Sequence, residues 1–264
     1  MNNDETNPKA RLVEARQPHA ALDLRSRRSK ALKIERLLEL DRRKHPMSLL
    51  EIGTGSGGIA SYFGTHASGR FTVHAVDVVD NRVVTEGYAY TQVQDTRLPF
   101  LDRSFDVVLT NHVIEHVGDE SAQRAHLAEI RRVLKDDGVC YLAVPNRWML
   151  VEPHYRLAFL SWLPPSWRSP YLRASGRGTE YDCRPLQLRQ LERLLANCNL
   201  RFENLGVEAL RATFEIERSG TKSAALLARL PDGFLMLFSS LIPTLIYRVW
   251  LPEGEGTPAG RADG

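Results

Sequence analysis

The sequence predicts an α/β protein with a doubly wound, mainly parallel sheet and helices on both faces. Three observations predict it. A glycine-dense turn, Gly53-Thr54-Gly55-Ser56-Gly57-Gly58, directly follows the apolar run Leu49-Leu50-Glu51-Ile52. Short apolar runs then alternate with helical periodicity through residue 145. One of them, Phe105-Asp106-Val107-Val108-Leu109-Thr110, is rich enough in apolar residues to be buried on both faces, as strands of parallel sheets are.

The elements follow in order. Residues 1–22 are polar and aperiodic and read as a tail. Over 23–43, Leu32, Ile34, Leu37, Leu38 and Leu40 recur at three- and four-residue spacing, predicting a helix that His45-Pro46 ends. Residues 48–52 make the first strand and 59–65 open the next helix. Phe71, Val73, Ala75 and Val76 make a second strand closed by Asp77. A short helix over 80–90, a weak third strand over 90–93 and the fourth strand over 105–110 come next. Leu127, Ile130, Val133 and Leu134 mark one face of a helix over 122–134. Lys135-Asp136-Asp137-Gly138 reads as a turn, and 139–144 as a fifth strand stopped by Pro145. Five strands alternating with helices imply parallel pairing.

Residues 147–184 break this rhythm with three tryptophans, three tyrosines and several arginines. Placed after a strand's carboxyl end, such an insertion is expected to serve the site as a cap. Residues 185–196 are again helical, and 200–207 and 211–216 read as two closing strands. The domain is therefore expected over 23–217, followed by an apolar segment over 218–251 and a tail over 252–264. Fifteen uncharged residues, 233–247, are too few for a membrane span. They read either as a helix packed on the domain or as an amphipathic segment in a membrane interface.

Composition bounds the function. The chain has 264 residues, 43% hydrophobic and 25% charged, enough for a full core. A net charge of +3 does not argue for nucleic acid as a partner. Arg25, Arg27, Arg28, Lys30 and Lys33 cluster ahead of the glycine turn, either as a solvated helix face or as a contact to phosphate or anionic lipid. Three cysteines without a CxxC pair fit reduced thiols, and no metal-ligand spacing is visible. The polar N-terminus gives no signal-peptide pattern, so a cytoplasmic chain is expected, with the inner membrane face as a second location.

The glycine turn is where a nucleotide-like cofactor sits in such a sheet, because glycine takes positive φ and lets a ligand approach the backbone. Gly53, Gly55 and Gly58 satisfy GxGxxG, while Gly53, Gly55 and Gly57 satisfy GxGxG with Glu51 two residues ahead. Asp77, nineteen residues past Gly58, suits a ribose diol in either case. The following segments separate the two. Asp95-Thr96-Arg97-Leu98-Pro99-Phe100, then 105–108, then Asn111-His112-Val113-Ile114-Glu115-His116-Val117, then 127–145 come in order. This series resembles the class I S-adenosylmethionine-dependent methyltransferases, in the branch of quinone-biosynthesis and other small-molecule enzymes. The resemblance covers 47–146 and, more weakly, 185–216.

The resemblance implies a Rossmann-like sheet, S-adenosylmethionine as cofactor and a set of roles. Glu51, Gly53, Thr54, Gly55 and Gly57 would line the methionine and ribose portion. Asp77 would bind the ribose hydroxyls, with Val78 and Val79 beside the adenine. Asp95 would accept from the adenine amino group, with Thr96 next to it. Asn111 and His112 would face the methionine end and the acceptor. A hydroxyl acceptor gains from a histidine base, so His112, His116 and His154 are the catalytic candidates. Arg147, Tyr155, Arg156, Tyr181 and Asp182 are unranked acceptor contacts. The aromatic and arginine residues of the insertion and the apolar run 233–247 suit a small or lipid-linked acceptor, with membrane contact through 223–251; cap packing and an oligomer contact explain them equally well. Oxygen is the first choice of acceptor atom and carbon the second. Two rivals remain at this point: a nicotinamide-dependent oxidoreductase using Gly53, Gly55, Gly58 and Asp77, and a silent binding module that keeps the fold.

Overall fold

The computed structural model describes residues 24–43, 46–152, 155–181, 183–217, 221, 229–237 and 242–253. Helix α1 (Leu24–Leu37) buries Ala31, Ile34 and Leu37 at three-residue spacing. It ends earlier than the periodicity predicts. Glu39 takes a left-handed φ of 51°, and a single 3-10 turn, Leu40–Arg42, finishes the segment. Strand β1 (Met47–Ile52) leads through the glycine turn into α2 (Gly58–Gly64). Strands β2 (Phe71–Asp77), β3 (Tyr88–Gln92) and β4 (Phe105–Asn111) follow, then α3 (Glu120–Val133) and β5 (Leu134–Pro145).

The sheet has seven strands. Its order is β3-β2-β1-β4-β5, continued by two C-terminal strands. The first five pair in parallel, with β1 between β2 and β4. Chain order therefore reverses between β1 and β4. The carboxyl ends of these two strands flank the crevice in which open α/β sheets bind ligands. Two apolar layers cover the sheet. One gathers Leu50, Val108, Ile130 and Leu191; the other gathers Ile34, Leu49, Phe63 and Val107. The doubly wound expectation is met.

Several local expectations are corrected. No helix forms over 80–90. Asp80 captures the Arg82 amide and guanidinium at 2.8–3.2 Å, and Ser56 O takes the amides of Val83 and Val84. Side-chain and turn bonds thus replace a helical ladder. The 135–138 turn lies within β5. Phe105 pairs with Leu134 and Val107 with Val139, so two steps along β4 match five along β5, and the surplus residues bulge. Residues 211–216 are helical, within α6 (Gly206–Glu217), because Leu205, Ala209 and Ala212 bury one face at helical spacing. The alternation in 211–216 that suggested a strand is overridden by that packing.

Residues 147–184 hold the two-stranded pair β6 (Val151–Glu152) and β7 (Leu157–Ala158), a 3-10 turn and α4 (Pro165–Ala174). Leu157, Leu160 and Leu172 form a small core of their own with Tyr155 and Tyr181. Buried Asn146 anchors the segment's start: its Nδ2 donates to Ile242 O at 2.9 Å, and its Oδ1 accepts from the Trp148 amide. Helix α5 (Leu188–Asn197) and strand β8 (Arg201–Asn204) precede α6.

The largest correction concerns the apolar C-terminal run, expected as a helix or a membrane segment. Helix α7 (Asp232–Leu237) is short, and Thr244–Trp250 is strand β9. β9 pairs antiparallel with β5 on one side and β8 on the other, so it is interior to the sheet. Its apolar run reflects burial on both faces: Leu245, Tyr247 and Val249 point into one layer and Ile246 into the other. A fully buried strand and a packed helix look alike in periodicity, and length was the only arbiter. Among the described residues no helix is long and apolar enough to cross a membrane.

Tyr247 is fully buried, donates to Glu192 Oε1 at 2.9 Å and accepts from Asn204 Nδ2 at 3.2 Å. Tyr247→Ala is expected to lower unfolding free energy by about 3–5 kcal/mol, the range for truncating a large buried aromatic. Urea titration reads this directly. An unchanged midpoint would mean β9 is peripheral.

Candidate active site

The glycine turn is held from both sides by carboxylates. Glu51, the fifth residue of β1, is 3% exposed, and its Oε2 accepts from Thr54 Oγ1 at 2.8 Å and from the Ala60 amide at 3.0 Å. It thereby ties the strand to the first turn of α2. Asp77, at the end of β2, reaches across: Oδ2 accepts from the Gly55 amide and Oδ1 from the Val78 amide, each at 2.8 Å. The turn itself needs glycine. Gly53 and Gly57 have φ of 76° and 80°, and a Cβ on Gly57 would stand 2.1 Å from Val84 O. Val83 and Val84 close over the turn through their bonds to Ser56 O, leaving the buried Ser56 Oγ without a hydrogen bond.

The neighbouring strand ends complete a continuous edge. Val93 donates to Asp77 O at 2.9 Å, which brings the 93–96 loop beside Asp77. Exposed Asp95 accepts from the Arg97 amide, and Thr96 is half-buried. Val78 is 45% exposed next to Asp77. On the far side of β1, Val113 lies against Gly53, where an added Cβ would meet Val113 Cγ2 at 2.4 Å. Asn111 and His112 therefore stand beside the turn at the end of β4.

His112 is the most distinctive residue here. Its φ is 59°, a left-handed value rare outside glycine, fixed by its amide bond to Ala143 O. Its Nδ1 lies 3.3 Å from Oε1 of the fully buried Glu115. Together with Asn111 it lines a cavity of about 310 Å³ between α1, α6, Tyr141 of β5 and the start of β9. His116 is placed differently. It sits 3.9 Å from the same Glu115 oxygen and 3.8 Å from Cys183 Sγ, and it does not line the cavity. His154 and Asp182 lie outside the described residues.

The structure thus brings together Glu51, Gly53, Thr54, Gly55, Gly57, Asp77, Val78, Asp95, Thr96, Asn111 and His112 along one sheet edge. The fit with an adenosyl ligand rests on the donor set. A carboxylate offers about four acceptor positions. Partly exposed Asp77 accepts from the turn at Oδ2 and from the Val78 and Val79 amides at Oδ1, leaving capacity for hydroxyl donors. Glu51 is braced inside the turn rather than facing solvent. Lys30, Lys33, Thr213 and Phe214 also line the cavity, and no sequence signal singled out Thr213 or Phe214. The basic cluster before the turn was the available sign, with the solvated-face reading competing.

Comparison with known proteins agrees with this geometry. A model of the methyltransferase domain family matches residues 23–205. The chain belongs to that family. It is 28% identical over 126 residues to the ubiquinone/menaquinone biosynthesis C-methyltransferase UbiE of Desulfotalea psychrophila, covering 44% of this chain and 49% of that protein. The chain thus spans about half the length of that curated relative. Among solved structures, an S-adenosylmethionine-dependent methyltransferase of Methanosarcina mazei superposes with a TM-score of 0.51 at 18% identity, over 82% of this chain and 98% of that one. A chain from the Haloferax volcanii complex of the Trm112 methyltransferase activator and a methyltransferase gives 0.50 at 16% identity, over 88% and 98%. These two likenesses establish the Rossmann-like methyltransferase fold.

Burial raises the Glu51 pKa from 4.5 to about 7, against the bonds from Thr54 and Ala60 and the nearby Arg27 charge. The folded state therefore holds this proton where the unfolded chain releases it. The Glu51 contribution to stability is fully present below pH 4.5, falls as pH rises to about 7, and is level above, by about 3 kcal/mol in total. Glu51→Gln keeps one oxygen for both donors and is expected to remove this slope. Unfolding free energy of the two proteins across that window checks it; equal slopes would contradict it.

Proposed function

We propose that this chain transfers a methyl group from S-adenosylmethionine to a small or lipid-linked acceptor, with oxygen the first acceptor atom and carbon the second. The observation that carries the reading is the single edge joining the Asp77-braced glycine turn to the His112 cavity. The methyltransferase family match supports it, and so does the name of the curated relative. When bound, the cofactor supplies a methyl group already activated by a positive sulfur.

What the protein contributes is then alignment, water exclusion and proton handling. Gly53, Thr54, Gly55 and Gly57 hold the methionine and ribose portion, with Glu51 fixing the turn they form. Asp77 accepts from the ribose hydroxyls. Asp95 accepts from the adenine amino group, with Thr96 and Val78 against the ring. Asn111 and His112 face the sulfur and the acceptor. His112 receives the acceptor hydroxyl proton at Nε2, and Glu115 behind Nδ1 stabilises the resulting cation. In the carbon alternative, loss of that proton activates a carbon conjugated to the hydroxyl; after methyl transfer the carbon loses its own proton and the oxygen regains the one held on His112. His116 is a packing partner of Cys183 in this reading, and His154 is a second acceptor contact.

The 147–184 segment, with its own small core and its start anchored at Asn146 to the cavity-lining Ile242, acts as a cap beside the acceptor. A cytoplasmic location with contact to the inner membrane face suits a lipid-linked acceptor. Within 223–251, the apolar side chains of Phe234 and Met236 on α7 are 46% and 57% exposed.

Calorimetric titration with S-adenosylhomocysteine and with NAD separates methyl transfer from the oxidoreductase alternative. Binding of the first alone is expected; binding of NAD alone would overturn the reading. Asp77→Ala is expected to weaken S-adenosylhomocysteine at least tenfold. His112→Ala should leave that affinity within about twofold and cut labelled-methyl transfer by 10²–10⁴, the usual contribution of a general base. Equal loss of binding in the His112 variant would remove its role as base.

A further inference from the structure

The cavity beside His112 has an uneven lining. Its walls are largely apolar, with Ala209, Leu210 and Phe214 from α6, Ile246 from β9 and Tyr141 from β5. Its charges are of one sign. Lys30 and Lys33 line it from α1, and among the described residues no Asp or Glu does. The two lysines are in different states. Lys33 is 8% exposed and is answered locally, donating to Thr213 Oγ1 at 2.9 Å and lying 3.4 Å from Glu217 Oε1. Lys30 is half-buried and has neither hydrogen bond nor ion pair among the described residues.

The groups around Lys30 make that state unfavourable. Arg27 and Lys33, one turn away on either side along α1, repel its charge, while Glu51 of β1 and Glu217 of α6 attract it from a distance. Burial is the largest influence, and the pKa falls to about 8. A half-buried ammonium without a partner is stabilised by an anionic group brought beside it.

Resting on the methyl-transfer reading, we propose that this cavity seats the acceptor, and that Lys30 pairs with an acidic group, a carboxylate or phosphate, on an otherwise apolar acceptor molecule. The volume of about 310 Å³ matches a small ligand at the lower end of ordinary sites. The lining gives the division of labour: α6 and β9 take the apolar body, Lys30 takes the acid, and His112 lies at the reacting end. The cofactor's own carboxylate is at its methionine end, also near His112, so the effect of Lys30→Met on S-adenosylhomocysteine affinity separates acceptor from cofactor as the molecule Lys30 answers.

The test uses full-length protein saturated with S-adenosylhomocysteine and titrated with octanoate, octyl phosphate and octanol. The wild type is expected to bind the two acids at least tenfold more tightly than the alcohol. Lys30→Met, which keeps side-chain length, should erase that preference and leave S-adenosylhomocysteine affinity unchanged; Lys30→Arg should restore it. Acid binding should weaken as pH rises through about 8 in the wild type and be level in Lys30→Arg. Equal binding of acids and alcohol, or no saturable acid binding, overturns the proposal. So does a Lys30→Met protein that loses S-adenosylhomocysteine affinity while still preferring acids, because Lys30 then serves the cofactor. Failure of the wild type to bind S-adenosylhomocysteine at all is a separate result and overturns the methyl-transfer reading itself.

Discussion

The pair of carboxylates gripping one glycine turn is the constraint on which the site depends. Glu51 binds the turn to α2 from below, and Asp77 binds it to β2 from the side. Neither bond works without the positive-φ glycines, because a Cβ at Gly53 or Gly57 would strike Val113 or Val84. The turn therefore fixes the separation between the ends of β1, β2 and β4. Any ligand spanning Asp77 and His112 is measured against that spacing. Glu51 contributes this rigidity at the expense of burying an ionisable group, which is why its pKa is raised.

The second half of the sheet positions the acceptor side. β9 returns antiparallel between β5 and β8, and the long connection before it delivers α6 against α1. Lys33 to Glu217 and Arg36 to Glu215 join these helices. Exposed pairs like the second add little stability. Their consequence here is placement: α1 and α6 become two walls of one cavity, and β4 supplies His112 at its end.

Much of the fold was legible in the sequence because its signals were local. The glycine turn and the alternation of apolar runs report local backbone needs, and Asp77 is marked by its place at the end of β2, although its partner on the turn, Gly55, is distant in sequence. The first five strands and the cofactor edge follow from them. The failures share a cause. Residues 80–90, 211–216 and Thr244–Trp250 adopt structure decided by distant partners: Ser56 O for the first, the layer beneath Ala209 and Ala212 for the second, β5 and β8 for the third. An apolar run buried on both faces of a sheet carries no period that distinguishes it from a buried helix. For the site, His112 could be read because it follows β4 directly. Lys30 could not, because helix faces reveal neither which lysine is answered by a carboxylate nor which borders a cavity.

The account stands on one ligand bound along one edge, and a crystal structure of the protein with S-adenosylhomocysteine tests it most directly. It should show the ribose hydroxyls on Asp77, the purine amino group at Asp95, and the sulfur beside Asn111 and His112. A ligand seated elsewhere, or an ordered complex in which Asp77 makes no contact with the sugar, would contradict it.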